Sequence, residues 1–273
     1  MTTLSLDDLI SLALEAGRAV MAVRDEGCDA MLKGDGSPVT IADQRAEAII
    51  EAGLNRLASG IPVVAEEAVA AGRIPDTGEM FFCVDPLDGT RDFLGGESGE
   101  FTVNIALVEN RTPVVGVVFA PATGELYAGE PGVALKGVFD GRTGAVQAPV
   151  KPIHAGAKPL GPWRVIASRR SGQNKATDDF IAALGESERL SSSSSIKFCR
   201  LAEGAADLYP RFGDVNEWDI AAGHAILSAA GGGVMRLDGT PLPYGGRDGS
   251  FLVRGFVAFA SAAAAGAARK ALG

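Results

Sequence analysis

Two aspartates directly behind an apolar run constrain this chain more than any other feature. The run Met80–Val84 predicts a buried strand, and it leads straight into Asp85-Pro86-Leu87-Asp88-Gly89-Thr90. Two ionised carboxylates about 4 Å apart would repel each other by ~4 kcal/mol at an effective dielectric constant near 20. A cation is therefore expected between them, and Mg²⁺ held by carboxylate and carbonyl oxygens is the obvious candidate. Asp-Pro and Asp-Gly also form turns, so a surface turn is the alternative for the hexapeptide alone.

The end of the same hexapeptide predicts a place for phosphate. Glycine at position 89 lets the backbone approach a ligand closely, and the amides of a short helix at Arg91–Phe93 would point at an anion. The Thr90 hydroxyl could orient a metal-bound water. Because the sequence has only two histidines and no Cys-x-x-Cys pair, this combination indicates hydrolysis by activated water.

Other acids also fall where predicted strands end or predicted helices begin. Asp43 follows Thr40 at the spacing of a capping box, Glu66 follows a predicted strand at 62–65, and Asp219 opens a predicted helix. Each has a structural alternative, since acids cap helices and favour their first turn. For Asp43 the sequence favours neither capping nor metal binding over the other. Together the positions favour a shared site, because chain ends converge on a crevice in layered α/β folds.

Hydrophobic periodicity predicts two lobes of different architecture. Apolar residues repeat at helical spacing over 6–21, and the apolar runs 101–108 and 112–119 flank a turn and predict a hairpin. An antiparallel sheet is therefore expected in the first half, whereas alternating strands and helices favour an α/β lobe in the second. The stretch 137–162 is rich in Gly, Pro and Ala and has little periodicity. We place the boundary there, with an N-terminal lobe at 1–145 and a C-terminal lobe at 146–273.

Composition limits the class of function. A chain of 273 residues with 47% hydrophobic content can bury a large core, and a net charge of −9 argues against a general binder of nucleic acid. Sparse cysteines fit a reduced compartment. Without an apolar run near the ~20 residues of a membrane span, the sequence predicts a cytoplasmic protein. Peripheral association with the inner membrane face, and the choice between monomer and homodimer, stay open.

Several motifs, in order, resemble the metal-site motifs of the inositol monophosphatase superfamily. They are Val39–Asp43, Ala65-Glu66-Glu67, Asp85–Thr90 and Glu217–Gly223. Longer strings look like its branch of CysQ-type 3′(2′),5′-bisphosphate nucleotidases, namely Gly99–Leu107, Ser195–Cys199 and Ala202–Phe212. The resemblance covers nearly the whole chain and implies a layered αβαβα sandwich, an α/β fold that agrees with the two predicted lobes.

The resemblance also implies a reaction. Enzymes of that branch remove the 3′-phosphate of 3′-phosphoadenosine 5′-phosphate and leave AMP, in sulfate assimilation. Some relatives hydrolyse inositol monophosphate or fructose 1,6-bisphosphate instead. The resemblance therefore implies a Mg²⁺-dependent phosphomonoesterase acting on a phosphorylated small molecule, with the nucleotide bisphosphate as the leading substrate. The alternatives are inositol- or fructose-phosphate hydrolysis on the same scaffold, and a non-catalytic protein that binds metal or nucleotide.

Carried over position by position, the motifs imply the metal ligands. A first Mg²⁺ would be bound by Glu66, Asp85 and the carbonyl of Leu87. A second Mg²⁺ would be bound by Asp85, Asp88 and Asp219. The resemblance therefore implies two divalent cations that share one aspartate.

The same motifs imply roles in catalysis and substrate binding. Asp43 resembles an acid associated with a third, weaker Mg²⁺ site. Glu66 and Thr90 would position and activate the attacking water, and with Asp43 they form the predicted catalytic set. The amides of Gly89 and Thr90 would hold the phosphate. The predicted substrate-binding residues are Leu87, Asp88, Gly89, Thr90, Ser168, Lys197, Arg211 and Asp219.

Residues that would recognise a nucleotide are less clearly marked. The candidates for binding a second phosphate are Ser168, Arg169, Lys197 and Arg211, and Tyr209 or Trp218 could face the base. Solvated surface charge and core packing are the alternatives. Lys33 is expected on a solvated face and His224 in the core. Two segments match the family poorly and are expected to lie away from the metal motifs: Pro131–Pro152 and the serine run Ser191–Ser195.

Overall fold

Two β-sheets separate three layers of helices in the computed structural model, which describes residues 4–27, 31–32, 38–95, 99–156, 161–169, 174–246 and 249–273. The layers run in the order helix, sheet, helix, sheet, helix. One hydrophobic cluster lies between the first helices and the first sheet, one surrounds the middle helices between the two sheets, and one lies between the second sheet and the outer helices. This arrangement is the predicted αβαβα sandwich.

The first helical layer consists of α1 (Leu6–Glu26) and α2 (Ile41–Leu57). α1 begins at a reciprocal capping box between Ser5 and Asp8, as its sequence predicts. Its apolar residues face the first sheet, and a short hairpin of β1 (Met31–Leu32) and β2 (Pro38–Val39) follows. α2 packs against the edge of the first sheet formed by residues Val63–Ala65 and Met80–Asp88.

Within the described residues, the first sheet has seven strands in sequential order. The first two are parallel, and every later neighbouring pair is antiparallel. The strands are β3 (Val63–Ala65), β4 (Met80–Asp88), β5 (Thr102–Glu109), β6 (Thr112–Ala120), β7 (Glu125–Glu130), β8 (Val133–Phe139) and β9 (Val146–Pro152), with the short helices α3 (Glu66–Ala70) and α4 (Thr90–Gly95) after β3 and β4. The predicted hairpin is present as β5 and β6.

The stretch 137–162 is more regular than its sequence predicts, because it contains all of β9, which pairs with β8. β9 is the edge strand, and almost all of its residues are exposed. A strand exposed on both faces needs no alternation of apolar and polar residues, so periodicity could not reveal it. β8 and β9 lie at the opposite edge from β3 and β4, which agrees with the expectation that 131–152 lies away from the metal motifs. The division into lobes at 145/146 stays a prediction.

The second half supplies the middle and outer layers. Its sheet has the order β11-β10-β12-β14-β13, from strands β10 (Trp163–Ser168), β11 (Ser187–Ser192), β12 (Leu208–Asn216), β13 (Gly233–Met235) and β14 (Leu252–Phe259). The middle layer contains α6 (Ile196–Ala202), the 3₁₀ helix Glu217–Asp219 and α7 (Ala221–Ala229), and the outer layer contains α5 (Lys175–Leu184) and α8 (Ala262–Leu272). Among the described helices, none has both the length and the apolarity needed to cross a bilayer.

Candidate metal and phosphate site

Carboxylates from three chain segments meet at the end of β4. One oxygen from each of Glu66, Asp85 and Asp219 lies within 4.8 Å of the other two. Glu66 is the first residue of α3, Asp85 lies near the end of β4, and Asp219 ends the 3₁₀ helix. Asp85 is buried and the other two are half-buried. The fold therefore brings together acids that lie up to 153 positions apart in the sequence.

A β-bulge brings Asp88 toward the same cluster. Residues three apart on a regular strand point to opposite faces of the sheet. The register between β4 and β5 shifts between Asp85 and Asp88, and such a bulge re-aims the side chains that follow it. After burial, the charge of Asp88 is the strongest influence that raises the pKa of Asp219, to about 8. Asp88 therefore belongs to the electrostatic cluster.

Burial and mutual repulsion keep protons on this cluster. Burial, followed by the charges of Glu66, Asp88 and Asp219, raises the pKa of Asp85 well above its usual range. A hydrogen bond joins the side chains of Asp85 and Asp219, and two carboxyl groups can form one only if a proton lies between them. A divalent cation would relieve the same repulsion between the carboxylates with its two positive charges. The clustered donors are all hard oxygens, so they fit Mg²⁺.

These raised pKa values predict that the metal-free protein loses stability as pH rises from 6.5 to 8. The folded pKa is about 6 for Asp88 and about 8 for Asp219, both above the usual 3.8, so the folded state binds more protons than the unfolded state in this window. Stability then falls with rising pH. One pKa unit corresponds to about 1.4 kcal/mol, and 1 kcal/mol shifts the melting temperature of a domain of this size by about 2–4 °C. The melting temperature in chelator should therefore fall by at least about 3 °C.

Melting curves with chelator and with saturating Mg²⁺ would check this expectation. Mg²⁺ should largely remove the decline, because the cation replaces the protons. The window begins at pH 6.5 because burial lowers the pKa of His224 to about 4, which has the opposite effect on stability at lower pH. A melting temperature that stays level or rises in chelator would contradict the repulsion described above.

Asp43 uses different oxygens for capping and for the site. Its Oδ2 accepts hydrogen bonds from the Thr40 backbone N–H at 2.7 Å and from the Thr40 hydroxyl at 2.8 Å. Its Oδ1 lies 3.3 Å from Thr90 Oγ1, which is also 3.3 Å from the carbonyl oxygen of Leu87. The two alternatives for Asp43 are therefore compatible. Asp43 is not one of the three clustered acids, and its association with a third metal stays a prediction.

Both the backbone conformation at position 89 and the atoms around it require glycine there. Its φ is +90°, and a Cβ at this position would lie 2.4 Å from Ser194 Oγ. The Gly89 carbonyl oxygen accepts hydrogen bonds from the backbone N–H groups of Asp92 and Phe93, at 2.8 and 3.0 Å. These bonds form the first turn of the short helix that the sequence predicts after Thr90.

A cavity of about 370 Å³ opens beside the acids. Its walls carry acids together with the cations Arg91, Lys197 and Arg211. The predicted substrate-binding residues that line it are Asp88, Gly89, Thr90, Ser168, Lys197, Arg211 and Asp219. Leu87 is buried and does not line the cavity.

Lys197 is held in place by its surroundings. Its Nζ donates to the carbonyl oxygen of Ser194 at 2.5 Å and lies 5.2 Å from the centre of the Tyr209 ring. Burial lowers its pKa to about 8, although Asp88 opposes the shift. Arg211 precedes a bulge in β12, and its guanidinium donates to the carbonyl oxygen of Asp214 at 2.9 Å. Both cations are therefore oriented before any ligand arrives.

The serine run lies against the metal motif, so the prediction that it lies away from it is wrong. The Ser194 hydroxyl donates to the Asp88 carbonyl oxygen at 3.1 Å, and the backbone N–H of Ser195 donates to the Asp88 carboxylate. Ser195 Oγ also lies 2.9 Å from Thr102 Oγ1 and 2.7 Å from Asn104 Oδ1. These two β5 residues lie opposite Asp88 and Asp85. A polar run has no hydrophobic period, so its place in the fold could not be predicted.

The remaining candidates divide between the cavity and the core. Tyr209 lines the cavity, whereas Trp218 is buried and its ring centre lies 6.0 Å from that of Phe251. Arg169 pairs with Glu100 at 3.0 Å. His224 is buried and its Nδ1 lies 3.0 Å from the Tyr244 hydroxyl, which confirms its predicted core position. Lys33 lies outside the described residues.

Known proteins resemble this chain along most of its length. It is 42% identical over 253 residues to the 3′(2′),5′-bisphosphate nucleotidase CysQ of Shigella flexneri. It is 41% identical over 253 residues to the protein of the same name from Escherichia coli strain K12. Each alignment covers 92% of this chain and 98% of the relative.

Solved structures and a family model agree with these relatives. The crystal structure of CysQ from Bacteroides thetaiotaomicron matches with a TM-score of 0.76 at 37% identity, covering 93% of this chain and 96% of that one. The inositol monophosphatase from Anabaena matches with a TM-score of 0.71 over 97% of this chain and 94% of its own. Its 24% identity supports the fold alone. The model described as the inositol monophosphatase family matches residues 5–271. The chain belongs to the inositol monophosphatase family.

Proposed function

We propose that this chain is a 3′(2′),5′-bisphosphate nucleotidase that uses Mg²⁺ to hydrolyse 3′-phosphoadenosine 5′-phosphate to AMP and phosphate. The observation that carries the proposal is the cluster of Glu66, Asp85 and Asp219 beside a cavity with two oriented cations. The names of relatives more than 40% identical over most of both chains support the substrate.

The acids would hold two Mg²⁺ ions. We assign Glu66, Asp85 and the Leu87 carbonyl to the first, and Asp85, Asp88 and Asp219 to the second. Divalent cations at this site would neutralise phosphate charge and lower the pKa of water. A third, weaker site near Asp43 belongs to the same proposal.

Thr90 would orient the attacking water. Its hydroxyl lies between the cavity and Asp43 Oδ1, so it can donate its proton to Asp43 while its lone pairs accept a proton from water. Burial raises the pKa of Asp43, which favours proton uptake by that carboxylate. Glu66 would accept the other hydrogen bond of the water. A new bond then forms between water oxygen and phosphorus as the bond to the 3′-oxygen breaks, and the departing 3′-oxygen takes up a proton from solvent to become the hydroxyl of AMP.

The cations would bind the second phosphate of the substrate. Lys197 and Arg211 line the cavity together with Asp88. Burial raises the pKa of Asp88 to about 6, and the charge of Lys197 is the strongest influence that opposes this shift. Charge-assisted bonds to phosphate are roughly twice as strong as neutral ones. Inositol monophosphate has no second phosphate to use them, whereas fructose 1,6-bisphosphate has one but lacks a base. The two cations therefore favour a bisphosphate.

Phosphate release from a panel of three substrates tests the proposal. We expect release to be fastest with 3′-phosphoadenosine 5′-phosphate in Mg²⁺ and absent in chelator for each substrate. Faster release from inositol monophosphate or fructose 1,6-bisphosphate would support the alternative on the same scaffold. Zero turnover with all three in Mg²⁺ would support the non-catalytic alternative.

A further inference from the structure

Glu47 lies one helical turn after Asp43 on α2 and contacts the segment that begins with Glu66. Its Oε2 accepts a hydrogen bond from the backbone N–H of Glu67 at 2.8 Å. Its Oε1 lies 3.8 Å from the guanidinium of Arg73, three residues beyond the end of α3. The Glu47 side chain is 6% exposed. One buried carboxylate therefore contacts both flanks of α3.

α3 depends on such a partner because it has little internal support. It is five residues long, and the preceding residue, Ala65, makes no capping bond with its side chain. A helix this short has few internal hydrogen bonds, and its first amides need an external acceptor. Glu47 supplies that acceptor from another helix. Since Glu66 is the first residue of α3, the same bond restrains the backbone from which Glu66 reaches the acid cluster.

Burial of the Glu47 carboxylate is unfavourable for the stability of the fold. Burial raises its pKa to about 7, although the bond from the Glu67 amide opposes the shift. Such groups concentrate at functional sites. Asp43 and Glu47 also lie on one face of α2, since residues four apart are neighbours on a helix. α2 therefore contacts Thr90 through Asp43 and the segment of Glu66 through Glu47.

We propose that Glu47 is a positioning residue for Glu66. Its hydrogen bond to the Glu67 amide sets the place of the Glu66 carboxylate and, through it, the divalent-cation affinity of the acid cluster. This inference rests on the proposed function, since it takes Glu66 to be a metal ligand.

The test compares two substitutions of Glu47 with a matched control in the full chain. Glu47→Ala removes the acceptor, and Glu47→Gln keeps an acceptor oxygen without the charge. Glu51→Ala is the control, because Glu51 lies one turn further along α2 and lines, together with Glu47 and Glu67, a surface cavity separate from the one beside the acid cluster. Among the described residues, no hydrogen bond joins Glu51 to α3. Mn²⁺ binding without substrate, exchange of the Glu67 amide by NMR, and phosphate release in a Mg²⁺ titration are measured for each.

Glu47→Ala should weaken Mn²⁺ binding and raise the Mg²⁺ requirement by about 10- to 100-fold, as loss of groups that orient metal ligands does. Its Glu67 amide should exchange faster, whereas Glu47→Gln and Glu51→Ala should stay close to wild type in all three measurements. Unchanged Mn²⁺ binding in Glu47→Ala would overturn the proposal. So would equal weakening in Glu47→Gln, which would assign the effect to charge.

Two further outcomes are decided by the same experiment. If Glu47→Ala does not fold, Glu47→Asp shortens the side chain by one methylene and keeps its charge. Weaker Mn²⁺ binding by that variant would support the positioning role, and unchanged binding would overturn it. A wild-type protein that binds Mn²⁺ but releases no phosphate would contradict the proposed function alone, because the binding comparison does not use turnover.

Discussion

Replacing Asp85 by asparagine should abolish phosphate release and, in the same protein, make the metal-free fold more stable. Asp85 is the most buried of the clustered acids, and burial with three neighbouring acids raises its pKa well above the usual range. Asparagine keeps the size of the side chain. It also keeps an oxygen that can accept the hydrogen bond Asp85 Oδ1 now receives from the Leu87 amide, at 2.9 Å. The substitution therefore removes one charge and little else.

The two effects have separate causes. Without Asp85 the cluster loses the acid assigned to both cations, and metal stabilisation of transition-state charge amounts to several kcal/mol. We expect kcat/KM in saturating Mg²⁺ to fall by at least about 10³-fold, at tenfold per 1.36 kcal/mol. In chelator, burial and the neighbouring acids raise the pKa of Asp85 above its unfolded value, which costs stability at pH 8. Asparagine does not titrate, so this cost disappears and the melting temperature at pH 8 should rise.

Asp207 provides the matched control. It is buried to the same degree as Asp85, but its Oδ1 lies 2.7 Å from the Arg164 guanidinium. Asp207→Asn should therefore lower the melting temperature, because it leaves a cation without its partner, and should leave the Mg²⁺ requirement unchanged. If Asp85→Asn also lowers the melting temperature in chelator, burial and repulsion do not raise the pKa of Asp85 as described above.

The site was predicted from acids at the ends of predicted strands and the starts of predicted helices. The structure shows why such positions come together. Glu66 begins α3 directly after the apolar strand β3, and Asp219 ends a 3₁₀ helix two residues before α7 begins. Local patterns of this kind survive folding because backbone geometry determines them. The bulge between Asp85 and Asp88 has no such local signal. On a regular strand these two side chains would point to opposite faces, so the cation expected between them from the sequence depends on a bulge that the sequence does not reveal.

Features that depend on tertiary partners could not be predicted. The serine run reaches Asp88 because Ser195 packs against Thr102 and Asn104 on β5, a contact between residues about 90 positions apart. Glu47 appears in the sequence as one more polar residue on α2. Its role depends on a backbone amide that only the fold brings within 2.8 Å. Periodicity reports which face of an element is buried, and it does not report what a buried polar group binds.

Lys197→Met should lower kcat/KM for the nucleotide bisphosphate more than kcat/KM for inositol monophosphate. Methionine keeps an apolar chain that can pack on the Tyr209 ring, 5.2 Å from the present Nζ, while it removes the charge. Hydrogen bonds to charged groups contribute about 1.5–3 kcal/mol. We therefore expect kcat/KM for 3′-phosphoadenosine 5′-phosphate to fall by about 10- to 100-fold. The loss should appear mainly in KM, since Lys197 is assigned to the phosphate that does not react.

Comparison with inositol monophosphate separates binding of the second phosphate from a general effect on the metal site. Lys197 also lowers the pKa of Asp88, and losing that influence would reduce turnover of every substrate by a similar factor. The ratio of kcat/KM values for the two substrates isolates the part that concerns the second phosphate. Arg91→Met is the control, because Arg91 is an exposed cation on the wall of the same cavity and should change the ratio little. Equal losses on both substrates in Lys197→Met would assign the lysine to the metal site, and nucleotide selection would then have to come from other residues.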